Sequence, residues 1–484
     1  MDWITMHSGA LPDEKTARTL VLLAAMAAGL APDVVAQAPY RAASGTIELA
    51  LVGDAIVSRP LSVNTEPEHR AMVEAIQGAD AAFANLEIVF QSVDLLTPMV
   101  SDRESYMFAD PALAADLHRV GFDLVSRANN HSLDYGWDGM RATSRALDAA
   151  GIAHAGVGEN LALADAAAFA DVAAGRVALI STASTFEDFQ AARPQRRDIR
   201  ATPGLNPLRH REITVLPRAS AEALQGIARE AGERPADGDR FQAFGRTFQV
   251  GERPGARSEV DQADLDRILA SVRSARSEAD WVIVATHSHE GAGSREVPAD
   301  FLVAYAHAAI DAGADVFVGT GPHVLRGIEI YKGRPIFYSL GNFAMENETV
   351  PFRPSAEYER TDLGRDARTT DYYDDRQRTA GGYFTLDPVY WESVIALPTF
   401  RGGALVEIRL LPLTLGFGAP RSQRGRPLRA DVETGRKIIA RLAELSAPFG
   451  THVQERDGMG IVRLSADPDG RRPQEPENPE EILR

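Results

Sequence analysis

Short aliphatic and β-branched runs alternate with helical patterns along this chain, and polar residues end each run. The pattern predicts buried strands at Thr46–Val52, Ala81–Ala84, Phe122–Val125, Trp281–Thr286, Asp315–Val318 and Pro335–Leu340. The predicted helices between and after them include Pro67–Gln77, Pro111–Val120, Asp261–Glu278 and Ala299–Ala312. Alternating strands and helices indicate a layered α/β fold with a partly parallel sheet. We therefore expect functional groups at the carboxyl ends of the strands, where open α/β sheets bind their ligands.

Two segments that interrupt the alternation of strands and helices define the predicted domain organisation. The core is predicted at 46–345, with an insertion at about 186–260 that contains a hairpin pattern around Gly245. An irregular insertion follows at 346–400. A strand and a helix at 401–465 complete the domain, and the Pro- and charge-rich residues 466–484 are predicted to form a disordered tail.

The N-terminal segment, residues 1–45, leaves two interpretations open. Lys15 and Arg18 precede the apolar run Leu20–Ala31, and Val35–Ala38 offers the small residues of a cleavage site, which favours a signal peptide and export to the periplasm. The acidic residues near the start instead favour a short Ala-rich helix and a cytoplasmic protein. The apolar run is shorter than the roughly 20 residues of a membrane helix, so no stable membrane span is expected.

The composition limits the chemistry of any site. The chain has 51 Lys and Arg against 68 Asp and Glu, a formal net charge of −17. We find no basic run that would bind a phosphate backbone, so no nucleic-acid partner is expected. The absence of Cys excludes disulfides, thiolate nucleophiles and Cys-ligated zinc. Any metal must therefore bind to His, Asn and carboxylate side chains.

A set of polar residues lies at or just beyond the ends of the predicted strands. Its members are Asp54, Glu87, Asn130, His131, His287, His289 and His323. Four of the 11 His residues fall in these short stretches, a concentration that scattered packing histidines do not explain. Mixed oxygen and nitrogen donors suit Zn²⁺, Mn²⁺ or Fe. A divalent ion would activate water and polarise a carbonyl or phosphoryl oxygen, which allows hydrolysis without a protein nucleophile.

The carboxylates and amides of this set also have ordinary structural interpretations. Gly53–Asp54 alone is more typical of a strand-to-loop turn than of a metal ligand. Asn85 and Glu87 could cap the following segment, although their i, i+2 spacing places both side chains on one face of a continuing strand. The set therefore predicts a site more strongly than any member does.

The same weighing applies to the histidines and their neighbours. His287 and His289 share one face of an extended segment, which is typical of a metal-ligand pair. His131 could instead be a buried histidine beside a turn. Asp134 is interpreted as the N-cap of the helix that follows it, and Glu290 as a solvated side chain.

Six segments occur in an order that points to a known family. They are Gly53–Asp54, Asn85–Glu87, Ala128–Gly136, His287 with the acidic residue after it, Gly319–Glu329 and Tyr338–Phe343. Together they resemble the motifs of the CapA capsule-biosynthesis family, which is named for poly-γ-glutamate synthesis and belongs to the calcineurin-like metallophosphatase superfamily. The resemblance spans Ile47–Phe343. It implies a four-layer α/β/β/α sandwich with a one- or two-metal centre at the strand ends.

The resemblance also implies roles for the residues that match its motifs. The implied metal ligands are Asp54, Glu87, Asn130, His287 and His323. Glu87, with Asn85 beside it, would take the bridging position, and His131 would protonate a leaving group. Residues that would orient substrate or add ligands are Asn85, Glu290, Arg326 and Asn342.

The sequence departs from the family pattern at two positions. Thr320 stands where relatives usually carry His, and a hydroxyl is a poor substitute for an imidazole ligand. The stretch after His287 lacks the usual Trp-Gly and offers His289 instead. We therefore hypothesise that His289 supplies the nitrogen that is missing at Thr320.

These observations predict a metal-dependent hydrolase with metal-bound hydroxide as the nucleophile and His131 as the general acid. Its expected substrate is a small molecule, peptide or anionic polymer with γ-glutamyl or peptide-like amide bonds, linked to poly-γ-glutamate, capsule or cell-surface polymer metabolism. The alternatives are a calcineurin-like phosphoesterase and a non-catalytic accessory protein of capsule synthesis or export. A sugar- or peptide-binding module would need exposed aromatic platforms, for which the candidates are Trp137, Tyr372, Tyr373 and Trp391. The sequence predicts no oligomeric state.

Overall fold

The computed structural model describes residues 45–99, 105–379 and 386–464. The strands are β1 (Thr46–Ile56), β2 (Ala81–Leu86), β3 (Val89–Phe90), β4 (Phe108–Ala109), β5 (Leu124–Ser126), β6 (Ala153–Ala155), β7 (Val157–Gly158), β8 (Ala168–Val172), β9 (Gly175–Ala183), β10 (Gly204–Leu205), β11 (His210–Leu216), β12 (Arg240–Ala243), β13 (Arg246–Val250), β14 (Gly255–Val260), β15 (Trp281–His287), β16 (Val316–Thr320), β17 (Ile328–Tyr331), β18 (Arg334–Phe337), β19 (Asn342–Met345), β20 (Glu392–Arg401), β21 (Ala404–Thr414), β22 (Leu428–Arg429), β23 (Gln454–Arg456) and β24 (Met459–Arg463). The helices are α1 (Pro67–Gln77), α2 (Ala112–Val120), α3 (Gly136–Ala150), α4 (Leu161–Asp165), α5 (Arg218–Glu230), α6 (Gln262–Glu278), α7 (Asp300–Asp311), α8 (Ser355–Tyr358), α9 (Thr369–Thr379) and α10 (Val432–Ser446).

The predictions for the N-terminal segment and for the tail at 466–484 concern residues outside the described ranges, except for Gly45, which precedes β1. Among the helices in the described ranges, none has the length and apolar character needed to cross a bilayer.

Two large sheets carry the mixed α/β fold. In the larger sheet the main path runs β23-β24-β21-β20-β1-β2-β5-β6, with β19 paired to β1 and β22 to β21. The second sheet has the order β17-β18-β16-β15-β9-β8. β1 runs parallel to β2 and β19, and β15 runs parallel to β9 and β16. Because parallel strands end at the same edge, the polar residues that follow them are brought together.

Three clusters of buried side chains form the core. The first joins the larger sheet to α1, α2 and α3 through residues such as Met72, Leu117 and Leu147. The second contains side chains from both sheets, including Leu51 of β1 and Ile283 of β15. The third joins the second sheet to α6 and α7. Strands buried on both faces need continuous apolar runs, which is why these strands were recognisable in the sequence.

The helix bounds follow from local signals. α1 begins with Pro67 in its first turn, where a missing backbone N–H costs nothing. α2 ends at Gly121, whose φ of 115° suits a left-handed C-cap. The helices predicted at Pro67–Gln77, Pro111–Val120, Asp261–Glu278 and Ala299–Ala312 are confirmed to within a residue at each end.

Both insertions are more regular than the sequence predicts. The first contains a four-stranded sheet, ordered β12-β13-β11-β14, and the antiparallel pair β12–β13 confirms the hairpin pattern around Gly245. The second, predicted as irregular from 346 to 400, ends in β20, which pairs antiparallel with β1 inside the larger sheet. The expectation of an irregular chain was wrong there, because the Pro and polar residues before β20 obscure a strand that long-range pairing stabilises.

Candidate metal centre

The carboxyl end of β1 places Asp54 in the centre of the site. An ideal Cβ on Gly53 would lie 1.8 Å from the carbonyl oxygen of Gly341, so only glycine permits this approach of the two backbones. Asp54 is completely buried inside β1, and its backbone N–H donates to that same carbonyl. The alternative of a simple strand-to-loop turn at Gly53–Asp54 was therefore wrong.

The Asp54 carboxylate is held by several donors. It accepts hydrogen bonds from the Asn85 side-chain amide at 2.8 Å and from the Gly321 backbone N–H at 3.0 and 3.1 Å. Burial alone would raise the pKa of Asp54. The hydrogen bond from His323 and the charges of His323 and His287 outweigh it and hold the pKa below the ordinary value.

Glu87 lies between two groups of donors. Oε1 of Glu87 is 3.7 Å from Nε2 of His287 and 3.6 Å from Nε2 of His323. Nε2 of His287 is 3.1 Å from Nε2 of His289. The two groups that could hold a metal are Glu87, His287 and His289, and Asp54, Glu87 and His323, with the candidate ligand atoms of each group within 4.8 Å of one another. Glu87 is common to both.

His131 lies beside these groups. Its Nδ1 is 2.8 Å from Oδ2 of Asp134, and its Nε2 is 3.9 Å from Oε1 of Glu87. Asp134 also accepts a hydrogen bond from the backbone N–H of Met107. The predicted N-cap role of Asp134 was wrong, since α3 begins at Gly136 after Tyr135 and has no side-chain cap. The His-x-x-Asp spacing was the sequence signal for this pair.

Asn130 contributes a buried amide oxygen. Its Oδ1 has no hydrogen-bond partner among the described residues, although a buried polar atom normally has one. Its backbone carbonyl accepts from the side chain of Gln190 at 2.8 Å, which fixes the loop. A buried amide oxygen without a hydrogen-bond partner is suited to a cation.

Asn342 contacts His323. The Oδ1 of Asn342 is 2.9 Å from Nδ1 of His323, and its Nδ2 donates to the carbonyls of His323 and Tyr390. His323 has a φ of 62°, which is uncommon for a residue with a side chain and is typical of functional sites. Asn342 thus orients an imidazole, and its amide is occupied by protein groups rather than available to substrate.

Asn85 and Thr320 contact the other nitrogen of His287. Nδ1 of His287 is 3.2 Å from the Asn85 amide and 3.3 Å from the Thr320 hydroxyl. The Asn85 amide oxygen accepts from Ser126 and from Asn129. Asn85 of β2 therefore connects Asp54 of β1 and Ser126 of β5 to the His287 ring.

Glu290 and Arg326 fix the loop after β15. The Glu290 carboxylate accepts hydrogen bonds from the hydroxyls of Ser184, Thr185 and Ser288, so the interpretation as a solvated side chain was wrong. Arg326 is fully buried and donates to the backbone carbonyls of Arg295 and Glu290. Through these contacts both side chains stabilise the loop that carries His289.

The aromatic platforms proposed for a binding module are not available. Tyr372, Tyr373 and Trp391 are buried, with at most 3% of their surface exposed. Trp137 alone of the four candidates is exposed. Those three rings pack inside the domain and cannot present a face to a sugar.

The residues fit a divalent ion. Carboxylates and imidazoles converge at ligand spacing, and Asn130 has an unsatisfied amide oxygen. Two nitrogens bound to one tetrahedral Zn²⁺ at about 2.0–2.1 Å lie roughly 3.3–3.4 Å apart. The Nε2 atoms of His287 and His289 are 3.1 Å apart, so a small shift of either ring would bring both to ligand distance.

Comparison with known proteins gives consistent matches. A family model described as bacterial capsule synthesis protein PGA_cap matches residues 48–347. An uncharacterized protein of Sinorhizobium fredii is 39% identical over 426 residues, covering 85% of this chain and 92% of that protein. The capsule biosynthesis protein CapA of Bacillus anthracis is 25% identical over 64% of this chain and 62% of its own length. A probable polyglutamine synthesis accessory protein of Mycobacterium tuberculosis is 28% identical over 46% of this chain and 45% of its own.

Proposed function

The chain belongs to the PGA_cap family of bacterial capsule synthesis proteins, and from this premise we propose that it is a metal-dependent hydrolase. Its substrate is a γ-glutamyl or peptide-like amide in capsule or other cell-surface polymer metabolism. The convergence of Asp54, Glu87, His287, His289 and His323 beside His131 is the observation that carries the proposal. The shared core of the two sheets, with helices packed on each outer face, supports a four-layer α/β/β/α arrangement of this family.

Each side chain has a defined task in this proposal. Asp54, Glu87 and His323 would hold one divalent ion, and Glu87, His287 and His289, with Asn130, would hold the second. Bound divalent ions supply a water of lowered pKa and polarise the scissile carbonyl. Buried carboxylates without a bound cation would be costly, so the ions also stabilise the site.

His131 delivers the proton to the leaving amine. The Asp134 carboxylate accepts Nδ1–H and stabilises the charged imidazole, so Nε2 faces the metal ligands as the acid. Expulsion of an amine requires protonation of its nitrogen, because an amide anion is a very poor leaving group. His131 is therefore the proposed general acid.

The contacts of Arg326 bear on the choice between an amide and a phosphoester. Arg326, which the sequence offered as a group for orienting substrate, donates to the carbonyls of Arg295 and Glu290 instead. Nη1 of Arg326 has no hydrogen-bond partner among the described residues, so Arg326 does not by itself decide between an amide and a phosphoester, and the substrate panel below does.

A substrate panel tests the proposal. Purified chain loaded with Zn²⁺, Mn²⁺ or Fe²⁺ is assayed on γ-glutamyl amides, peptides and model phosphoesters. We expect amide turnover that is lost in Asp54→Ala and falls by about 10²–10⁴-fold in His131→Ala. His118→Ala changes an exposed histidine on α2 and is the matched control. Turnover indifferent to both site substitutions would remove the proposed centre, and turnover of phosphoesters alone would replace the amide with a phosphoester.

A further inference from the structure

Gly321 leaves room for His289 in the metal centre. It follows β16 with a φ of 104°, and an ideal Cβ there would lie 2.9 Å from Cδ2 of His289 and 3.0 Å from Cε1 of His287. A carbon atom at this position would therefore overlap the van der Waals space of both rings. The space beside His287 is therefore filled by His289, which follows β15. Gly321, which follows β16, has no side chain to occupy it.

The loop after β15 is built to hold His289 in that space. The backbone N–H of His289 donates to the Thr185 hydroxyl at 2.8 Å. Arg326 donates to the next carbonyl, that of Glu290, at 2.7 Å. The Glu290 carboxylate is fixed by three hydroxyls. These contacts fix the backbone on both sides of His289 and so position the ring that it carries.

Thr320 does not occupy that space. Its hydroxyl is 3.3 Å from Nδ1 of His287, whereas the ring presents Nε2 to His289 at 3.1 Å. A change at position 320 would therefore act at Nδ1 of His287 and not at Nε2, the nitrogen next to His289. Position 321 is the one at which a side chain competes with His289.

We infer that the pairing of Gly321 with His289 makes the two metal positions chemically unequal. The first, formed by Asp54, Glu87 and His323, offers two carboxylates and one imidazole. The second, formed by Glu87, His287 and His289, offers one carboxylate and two imidazoles. Imidazole-rich sets favour zinc and iron, and carboxylate-rich sets accept manganese and magnesium. The second position exists in this form only because no side chain stands at 321.

This inference rests on the metal centre of the proposed function but not on the bond that is cleaved. Its test is therefore metal binding by the full chain without any substrate. The apo chain is titrated with Zn²⁺ against a chromophoric chelator and separately with Mn²⁺, and the metal content is checked by mass spectrometry.

We expect two zinc steps in the wild type, the first at least about tenfold tighter than the second. We also expect the zinc-to-manganese preference to be larger for the tight step. His289→Ala should lose the tight step and keep the weaker one. Gly321→Ala should also lose the tight step, and it should weaken the other step as well, because the Gly321 backbone N–H donates to Asp54. His289→Asn, which keeps a small polar side chain without the imidazole, should behave as His289→Ala does.

Gly293→Ala is the matched control. Gly293 lies in the loop after β15 that carries His289, has a φ of 79°, and has nothing within 4 Å of its ideal Cβ, so the substitution brings left-handed backbone strain without the clash. It should keep both steps. If His289→Ala and His289→Asn retain the tight step, or if Gly293→Ala loses it as Gly321→Ala does, the inference is overturned. A wild type that binds no zinc also overturns the inference. Two bound ions without turnover of any substrate would contradict only the proposed function.

Discussion

Nδ1 of His131 lies 2.8 Å from Oδ2 of Asp134, and the same carboxylate oxygen accepts the backbone N–H of Met107 at 2.7 Å. Two donors thus hold the carboxylate in one orientation, and the carboxylate holds the imidazole. A general acid needs this kind of support, because a ring free to rotate would present the wrong nitrogen.

Replacing Asp134 by Asn should reduce turnover without removing metal. The amide cannot stabilise a charged imidazole, so we expect kcat to fall by about 10²–10⁴-fold. Turnover and metal content would be measured on the same preparation. Asp138→Asn changes a carboxylate whose side chain is 89% exposed and should leave both unchanged. A loss of metal in Asp134→Asn would show that Asp134 supports the ligands instead.

Replacing Asn342 by Ala should weaken the ion bound by His323. Without Asn342, Nδ1 of His323 keeps only the more distant Oδ2 of Asp54, at 3.3 Å. The orientation of the ring is then less firmly fixed, which typically costs about 10–100-fold in metal affinity. Competition with a chelator measures the change. Asn347→Ala removes another buried amide, one whose side chain accepts from the Glu348 N–H, and should bind metal as the wild type does. Equal affinities in the two variants would contradict the role of Asn342.

Removal of metal should destabilise the folded chain. Asp54 and Glu87 are completely buried, and a ligand that binds only the native state adds about 2.7 kcal/mol at one hundred times its Kd. We expect a chelator to lower Tm and Zn²⁺ to restore it. Thermal unfolding measures both changes. The shift should be smaller in Asp54→Asn. The same Tm with and without chelator, in chain shown to carry metal beforehand, would refute this expectation.

Asp315 should make stability depend on pH in a defined direction. Burial raises the pKa of Asp315 above its ordinary value, and the attraction of Arg334 and Arg276 offsets this only in part. The folded chain therefore binds this proton more tightly than the unfolded chain. The stabilisation is fully present below the unfolded pKa and is lost as pH rises through the folded pKa.

The comparison of wild type with Asp315→Asn isolates this effect, because the variant cannot titrate at this position. The free energy of unfolding of the wild type, relative to the variant, should increase as pH falls from neutrality. Urea unfolding at several pH values measures it. A difference that stays constant or shrinks towards low pH would be inconsistent with the raised pKa.

The local pattern of the sequence determined the elements and the positions of the polar residues at their ends. Aliphatic runs and helical spacing act over a few residues, so the bounds of α1 and α2 and the end of β15 at His287 were predictable to within a residue. The predicted end of β1 at Val52 was wrong, because the strand continues through Asp54 to Ile56. The six ordered segments were sufficient to indicate the family, which the matching family model confirms.

Only the tertiary structure decided which atoms meet. Asp54 pairs in register with Asn342, almost 290 residues away in sequence, and no local pattern encodes such a register. The roles of Arg326 and Glu290, the place of β20 in the sheet, and the space that Gly321 leaves for His289 depend on that packing. The physical reason is that hydrophobic periodicity specifies which face of an element is buried, whereas contacts between side chains depend on the alignment of distant strands.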